Sequence, residues 1–143
     1  MCALAVFAAM PRAEEQPKPV VLEGRTARGD RIELVVYDGR LHSFRTNSAV
    51  HCPKPWSYWQ RWRWQPIDGL PGMRFRQEDG RFHVRHPVEY PRDKPPSFYL
   101  NELRGELSDD GRSASGTLHA RATYGSPDAP RTVCEATVRF RAR

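Results

Sequence analysis

Lysine is nearly missing from this chain of 143 residues, which holds 20 arginines against 3 lysines. High-GC codon usage produces that imbalance without selection for phosphate binding. The net charge of +6 and the pI near 9.6 are therefore weak pointers to nucleic acid, acidic polysaccharide or lipid headgroups. No run of about 18 or more apolar residues is present, which excludes a membrane-spanning helix and leaves no integral membrane segment. Little 3.6-residue periodicity appears, which argues against a long-helix protein. Gly-x-Ser-x-Gly, the P-loop, the dinucleotide fingerprint and His-Glu-x-x-His are all lacking. No catalytic residue is assigned and no cofactor is expected. Cysteine is scarce, and none stands at the Cys-x2-Cys spacing of a structural zinc site, so no metal is expected.

What the chain does contain is turn formers and strand formers. Its 13 prolines and 10 glycines are spread along the length, and 38% of residues are hydrophobic, as in one compact domain with many turns. Cys2 to Met10 is a short apolar run followed by Pro-Arg-Ala-Glu-Glu, so residues 1–13 read as a signal-peptide-like segment, with cleavage after Ala13. Only Met1 precedes the run, so the usual basic opening is missing, as in a truncated segment. The alternative is an N-terminal strand or helical turn. Residues 14–19 read as a tether and 20–143 as a single β-domain. The expected location is outside the cytoplasm: secreted, cell-surface or periplasmic.

Cys2 lies before the apolar run, where a lipid-bearing cysteine would follow it. Removing residues 1–13 leaves Cys52 and Cys134, an even count suited to an oxidising compartment. A bridge between them closes a loop of about 82 residues, for roughly 4 kcal/mol on the chain-entropy model. Two buried free thiols are the alternative.

Three Asp-Gly pairs organise the strands. Asp38-Gly39 joins Arg31–Tyr37 to Arg40–Phe44, and Asp79-Gly80 joins Met73–Glu78 to Arg81–His86. Folding the second hairpin pairs Gln77 with Phe82 and Phe75 with Val84. It sets Arg74, Arg76, Arg81 and Arg85 on the opposite, wet face. Asp110-Gly111 aligns Leu107 with Ala114, Gly105 with Gly116, Leu103 with Leu118 and Tyr99 with Ala122. A plain register at Asp38-Gly39 sets Phe44 against Glu33, which calls for a β-bulge near Ser43. Alternation buries Phe44, Val50 and Cys52 together, and Cys134 with Phe140. The fold expected is an antiparallel two-sheet β-sandwich of about seven or eight strands, with a closed β-barrel as the alternative.

Gly24-Arg25-Thr26, Gly29-Asp30, the Val36–Phe44 hairpin, Cys52, Trp64-Gln65-Pro66, Gly80-Arg81-Phe82, Ala114-Ser115-Gly116-Thr117 and Cys134 together resemble small exported bacterial β-sandwich proteins of uncharacterised function. The resemblance runs from about Val20 to Arg143 and implies fold and export, with no ligand and no catalytic residue.

All four tryptophans fall in residues 56–64, interleaved with arginine. Trp62 and Trp64 share one strand face and Arg61 and Arg63 the other, so the two tryptophans read as core. Trp56, Tyr58 and Trp59 lie nearer a loop and are the candidates for an exposed platform, with Arg61 and Arg63 beside them for cation–π or anion contacts. The ligand expected there is an extracellular polysaccharide or another polyanion. Arg74, Arg76, Arg81 and Arg85 form a separate candidate polyanion face, against the plainer reading of solvated charge. The leading expectation is a non-catalytic structural or binding module. A hydrolase acting on an extracellular polymer is the alternative, and needs two carboxylates converging in a cleft.

Overall fold

A computed structural model describes residues 17–54, 57–89, 98–125 and 131–143. Segment 1–13, and residues 14–16 of the expected tether, lie outside these. Pairing begins at Val20. Nine strands follow in chain order: β1 (Val20–Thr26), β2 (Arg31–Tyr37), β3 (Arg40–His51), β4 (Trp59–Trp64), β5 (Arg74–Glu78), β6 (Arg81–Glu89), β7 (Phe98–Leu107), β8 (Ala114–Tyr124) and β9 (Thr132–Ala142). All pairs are antiparallel, in one sheet of order β4-β3-β2-β1-β9-β8-β7-β6-β5.

Turn chemistry sets the local registers. Asp38 and Gly39 have φ of 49° and 69°, and Asp79 and Gly80 have 48° and 75°, the positive pair that a tight type I′ turn requires. At the third hairpin only Gly111 is positive, and the loop is wider. There Asp110 accepts from the Ser108 hydroxyl at 2.6 Å and the Arg112 amide at 3.0 Å, so side chains satisfy the turn. The register still pairs Leu107 with Ala114 and Tyr99 with Ala122. In the β2–β3 ladder Val36 faces Leu41 and Val35 faces Ser43, so His42 is the extra residue of a bulge and Phe44 turns inward opposite Leu34.

Closure comes from pairings far apart in sequence. Early residues of β3 pair with β2, and its last residue, His51, pairs with Glu135 of β9. Because β1 also pairs with β9, strands β1, β2, β3 and β9 form a small closed barrel. The Cys52–Cys134 disulfide fastens this junction, with Cα atoms 4.2 Å apart. The layers expected of a sandwich are thus two halves of one sheet coiled on itself, and barrel closure appears locally. The described residues form nine strands, where about seven or eight were expected. Val50, Cys52, Ala120, Ala122 and Cys134 make a small core under the disulfide, and Leu22, Ile32, Leu34, Phe44 and Trp64 meet Phe82, Val84, Leu103 and Leu118 in the larger one.

Polar clasps join the halves. Gln77 of β5 accepts from the Leu41 amide and donates to the Leu41 carbonyl, both at 2.7 Å. The Ser48 hydroxyl donates to the side-chain oxygen of Asn101, with both residues fully buried. The coil itself needs glycine. A Cβ on Gly105 would lie 2.6 Å from Cζ of Phe82, and one on its partner Gly116 would lie 2.6 Å from the Gly105 Cα. The Phe82 ring fills the space that Gly105 leaves, as aromatics do over sheet glycines.

Candidate functional site

β4 lies at one end of the sheet, so along the described chain it has a neighbour strand, β3, on one side only. Its residues alternate: Gln60 and Trp62 are half-buried and Trp64 is buried, whereas Trp59, Arg61 and Arg63 point outward and are exposed. Trp64 sits edge-on to Phe44, with ring centroids 4.8 Å apart, and belongs to the main core. Trp62 packs on the disulfide core and lies 4.5 Å from Tyr99. Trp59 is 51% exposed and Tyr58 47%. Trp56 lies outside the described residues.

The exposed ring is nevertheless held in place. The Arg28 guanidinium, from the β1–β2 turn, stands 3.3 Å from the Trp59 ring centroid, and the His51 ring lies 5.0 Å from it. The turn is built for this position: the Thr26 hydroxyl accepts from the amides of Arg28 and Asp30, and Asp30 pairs with Arg61 at 3.4 Å. Half of a side chain of about 200 Å² left in water forgoes roughly 2–3 kcal/mol of burial. A fixed, half-open ring is a surface that can receive a ligand with little loss of side-chain entropy. Close by, the Tyr124 hydroxyl donates to Gln60, and burial together with neighbouring Tyr58 pushes the Tyr124 phenol above its ordinary range. Arg28 was not a sequence candidate, because only the three-dimensional closure brings its turn to β4.

Compared with known protein families, with curated proteins and with solved structures, the chain has no match. The site must therefore be read from its own chemistry.

The second candidate surface is the outer face of β5 and β6. The register sets Arg74 beside Arg85 and Arg76 beside His83, with Arg81 next to Glu78. Arg74, Arg76 and Arg81 are exposed, Arg85 is half-buried, and none of the four forms an ion pair with a described residue. An open depression of about 700 Å³ runs across this face, bordered by Arg76, Arg81, Arg104, Ser115 and Thr117.

A polar chain crosses the same face. His83 contacts Glu102 at 2.5 Å, Arg104 donates to Glu102 at 2.9 Å, and His119 bridges Glu102 at 3.7 Å and Glu135 at 2.6 Å. The β8–β9 pairing is what brings His119 to Glu135. Burial pushes the Glu102 carboxyl up, but the hydrogen bonds and charges of Arg104 and His83 outweigh it and hold the group below the usual carboxylate range. A general acid needs the opposite shift. Among the described residues no three His, Cys, Asp or Glu side chains are placed to hold a metal ion, and no helix is long and apolar enough to cross a membrane. The disulfide is compatible with an extracellular location.

Proposed function

We propose that the protein is an exported, non-catalytic binding module that holds a saccharide against the Trp59 edge of β4. The observation that carries this reading is the Trp59 ring, half open to solvent yet clamped by Arg28 at 3.3 Å. A pyranose ring presents an apolar face that stacks on such a surface, and its hydroxyls find donors and acceptors in His51, whose ring lies 5.0 Å from Trp59, and in Ser57 next to His51. Arg61 and Arg63, outward on the same strand, suit a sugar that also carries acidic groups. Export accords with the N-terminal apolar run and with a disulfide that fastens the barrel.

The test is fluorescence titration of the full chain with neutral oligosaccharides at low and high salt. Stacking at Trp59 shifts its emission, survives high salt and is lost in Trp59→Ala. Binding retained in Trp59→Ala, or emission from Trp59 that iodide fails to quench, refutes the reading. A polymer hydrolase is the other class, and nothing in the shift of Glu102 supports it.

A further inference from the structure

The basic face seen on β5 and β6 continues over three more strands. Three rows of outward side chains run across β5, β6, β7, β8 and β9 in register. The first reads Arg74, Arg85, Glu102, His119, Thr137; the second Arg76, His83, Arg104, Thr117, Arg139; the third Glu78, Arg81, Glu106, Ser115, Arg141. These positions hold seven arginines against three glutamates, with two histidines and no Phe, Tyr, Trp or aliphatic side chain. Arg104 is tied to Glu102, whereas Arg74, Arg76, Arg81, Arg85, Arg139 and Arg141 have no ion-pair partner among the described residues.

We infer that this face binds an acidic polysaccharide laid across the strands. In the middle row an arginine recurs on every second strand, a step of about 10 Å at ordinary strand spacing. A polymer with regularly spaced sulfate or carboxylate groups meets that step, and one small anion would not use it. Arginine forks pair with such groups in bidentate fashion. The depression of about 700 Å³ gives the chain a bed lined by Arg76, Arg81 and Arg104 but also by Glu78, Asp79 and Glu106, and the Ser115 and Thr117 hydroxyls serve the sugar oxygens. Single-stranded nucleic acid is disfavoured because these rows hold no Phe, Tyr or Trp ring for a base to stack on, and the two imidazoles, His83 and His119, are engaged with Glu102 and Glu135. The inference stands apart from the Trp59 reading, since β4 and β5 are opposite ends of the sheet order, and either can fail alone.

The experiment measures binding of the full chain to heparin, a sulfated polysaccharide, across a salt series. It compares the wild type with R76Q/R139Q and with the charge-matched R40Q/R45Q on β3, each checked by thermal melting. Binding falls steeply with salt in the wild type. R76Q/R139Q binds about tenfold or more weakly, with a salt slope shallower by roughly 1.5. R40Q/R45Q and Trp59→Ala bind as the wild type does. No binding at low salt overturns the inference. Equal losses in the two double variants also overturn it, because they reveal net charge alone. Tighter binding of duplex DNA at matched charge overturns the choice of polymer in favour of nucleic acid.

Discussion

Gln77 occupies a position where one side chain does the work of a strand ladder. Leu41 is fully buried beside the His42 bulge, and its amide and carbonyl both bond to the Gln77 side chain at 2.7 Å. Gln77→Met keeps the volume and removes both bonds. Each buried backbone group left unpaired costs about 1–3 kcal/mol. Because Gln77 is only half-buried and water can reach part of the gap, the lower half of that range applies to each, for a total of about 3 kcal/mol. For a domain of this size that lowers Tm by roughly 10 °C.

Gln77→Glu sharpens the test. The ionised carboxylate still accepts from the Leu41 amide but sets a second oxygen against the Leu41 carbonyl. The protonated acid can donate there as the amide does. The folded state therefore favours the protonated form and raises the carboxyl pKa above its unfolded value, about 4.3. The linked stability is fully present below that value and is lost as pH rises through the folded pKa. Urea denaturation at pH 4 and pH 7 reads the difference. If Gln77→Met unfolds within about 0.5 kcal/mol of the wild type, or Gln77→Glu shows no change in relative stability between the two pH values, the clasp does not hold the sheet together.

Reducing Cys52–Cys134, which lie 82 apart in sequence, frees the unfolded chain of a long loop and lowers stability by roughly 4 kcal/mol in paired oxidised and reduced urea melts. His86 faces inward with an unpartnered buried Nδ1, and burial lowers its pKa below 6.5, so stability is intact above pH 6.5 and declines as pH falls from there toward the folded pKa. His86→Phe flattens that decline, and an unchanged pH profile in this variant counts against it. Glu102 has its pKa held below 4.5, so its contribution is present above pH 4.5 and is lost on further acidification; Glu102→Gln removes this later loss from the acid-unfolding curve. Gly116→Val drives a side chain into the backbone at 2.0 Å from the Arg104 carbonyl, and is expected to abolish folded protein in expression trials, where Thr117→Val does not.

How far the sequence could be read depended on whether an interaction was local. Asp79-Gly80 and Asp110-Gly111 fixed whole hairpins because two strands joined by a short turn have one register that buries Phe75, Val84, Leu103 and Leu118 together. The bulge beside Ser43 followed from the same demand on Phe44. Alternation along 59–64 separated inward Trp62 and Trp64 from outward Arg61 and Arg63 for the same reason. The β1–β9 and β3–β9 pairings have no turn to announce them, so closure into one sheet, and with it Arg28 over Trp59, lay beyond local pattern. The arginine face shows the boundary most clearly. Arg74, Arg76, Arg81 and Arg85 were legible as one wet face from a single hairpin, but a face of four arginines around Glu78 reads as ordinary solvated charge. Only when β8 and β9 extend its rows to Arg139 and Arg141 does the spacing become regular, and regular spacing is what separates a polymer track from scattered charge. A candidate surface assembled from strands so far apart in sequence is invisible to any window along the chain, even when every residue in it has been correctly placed in or out.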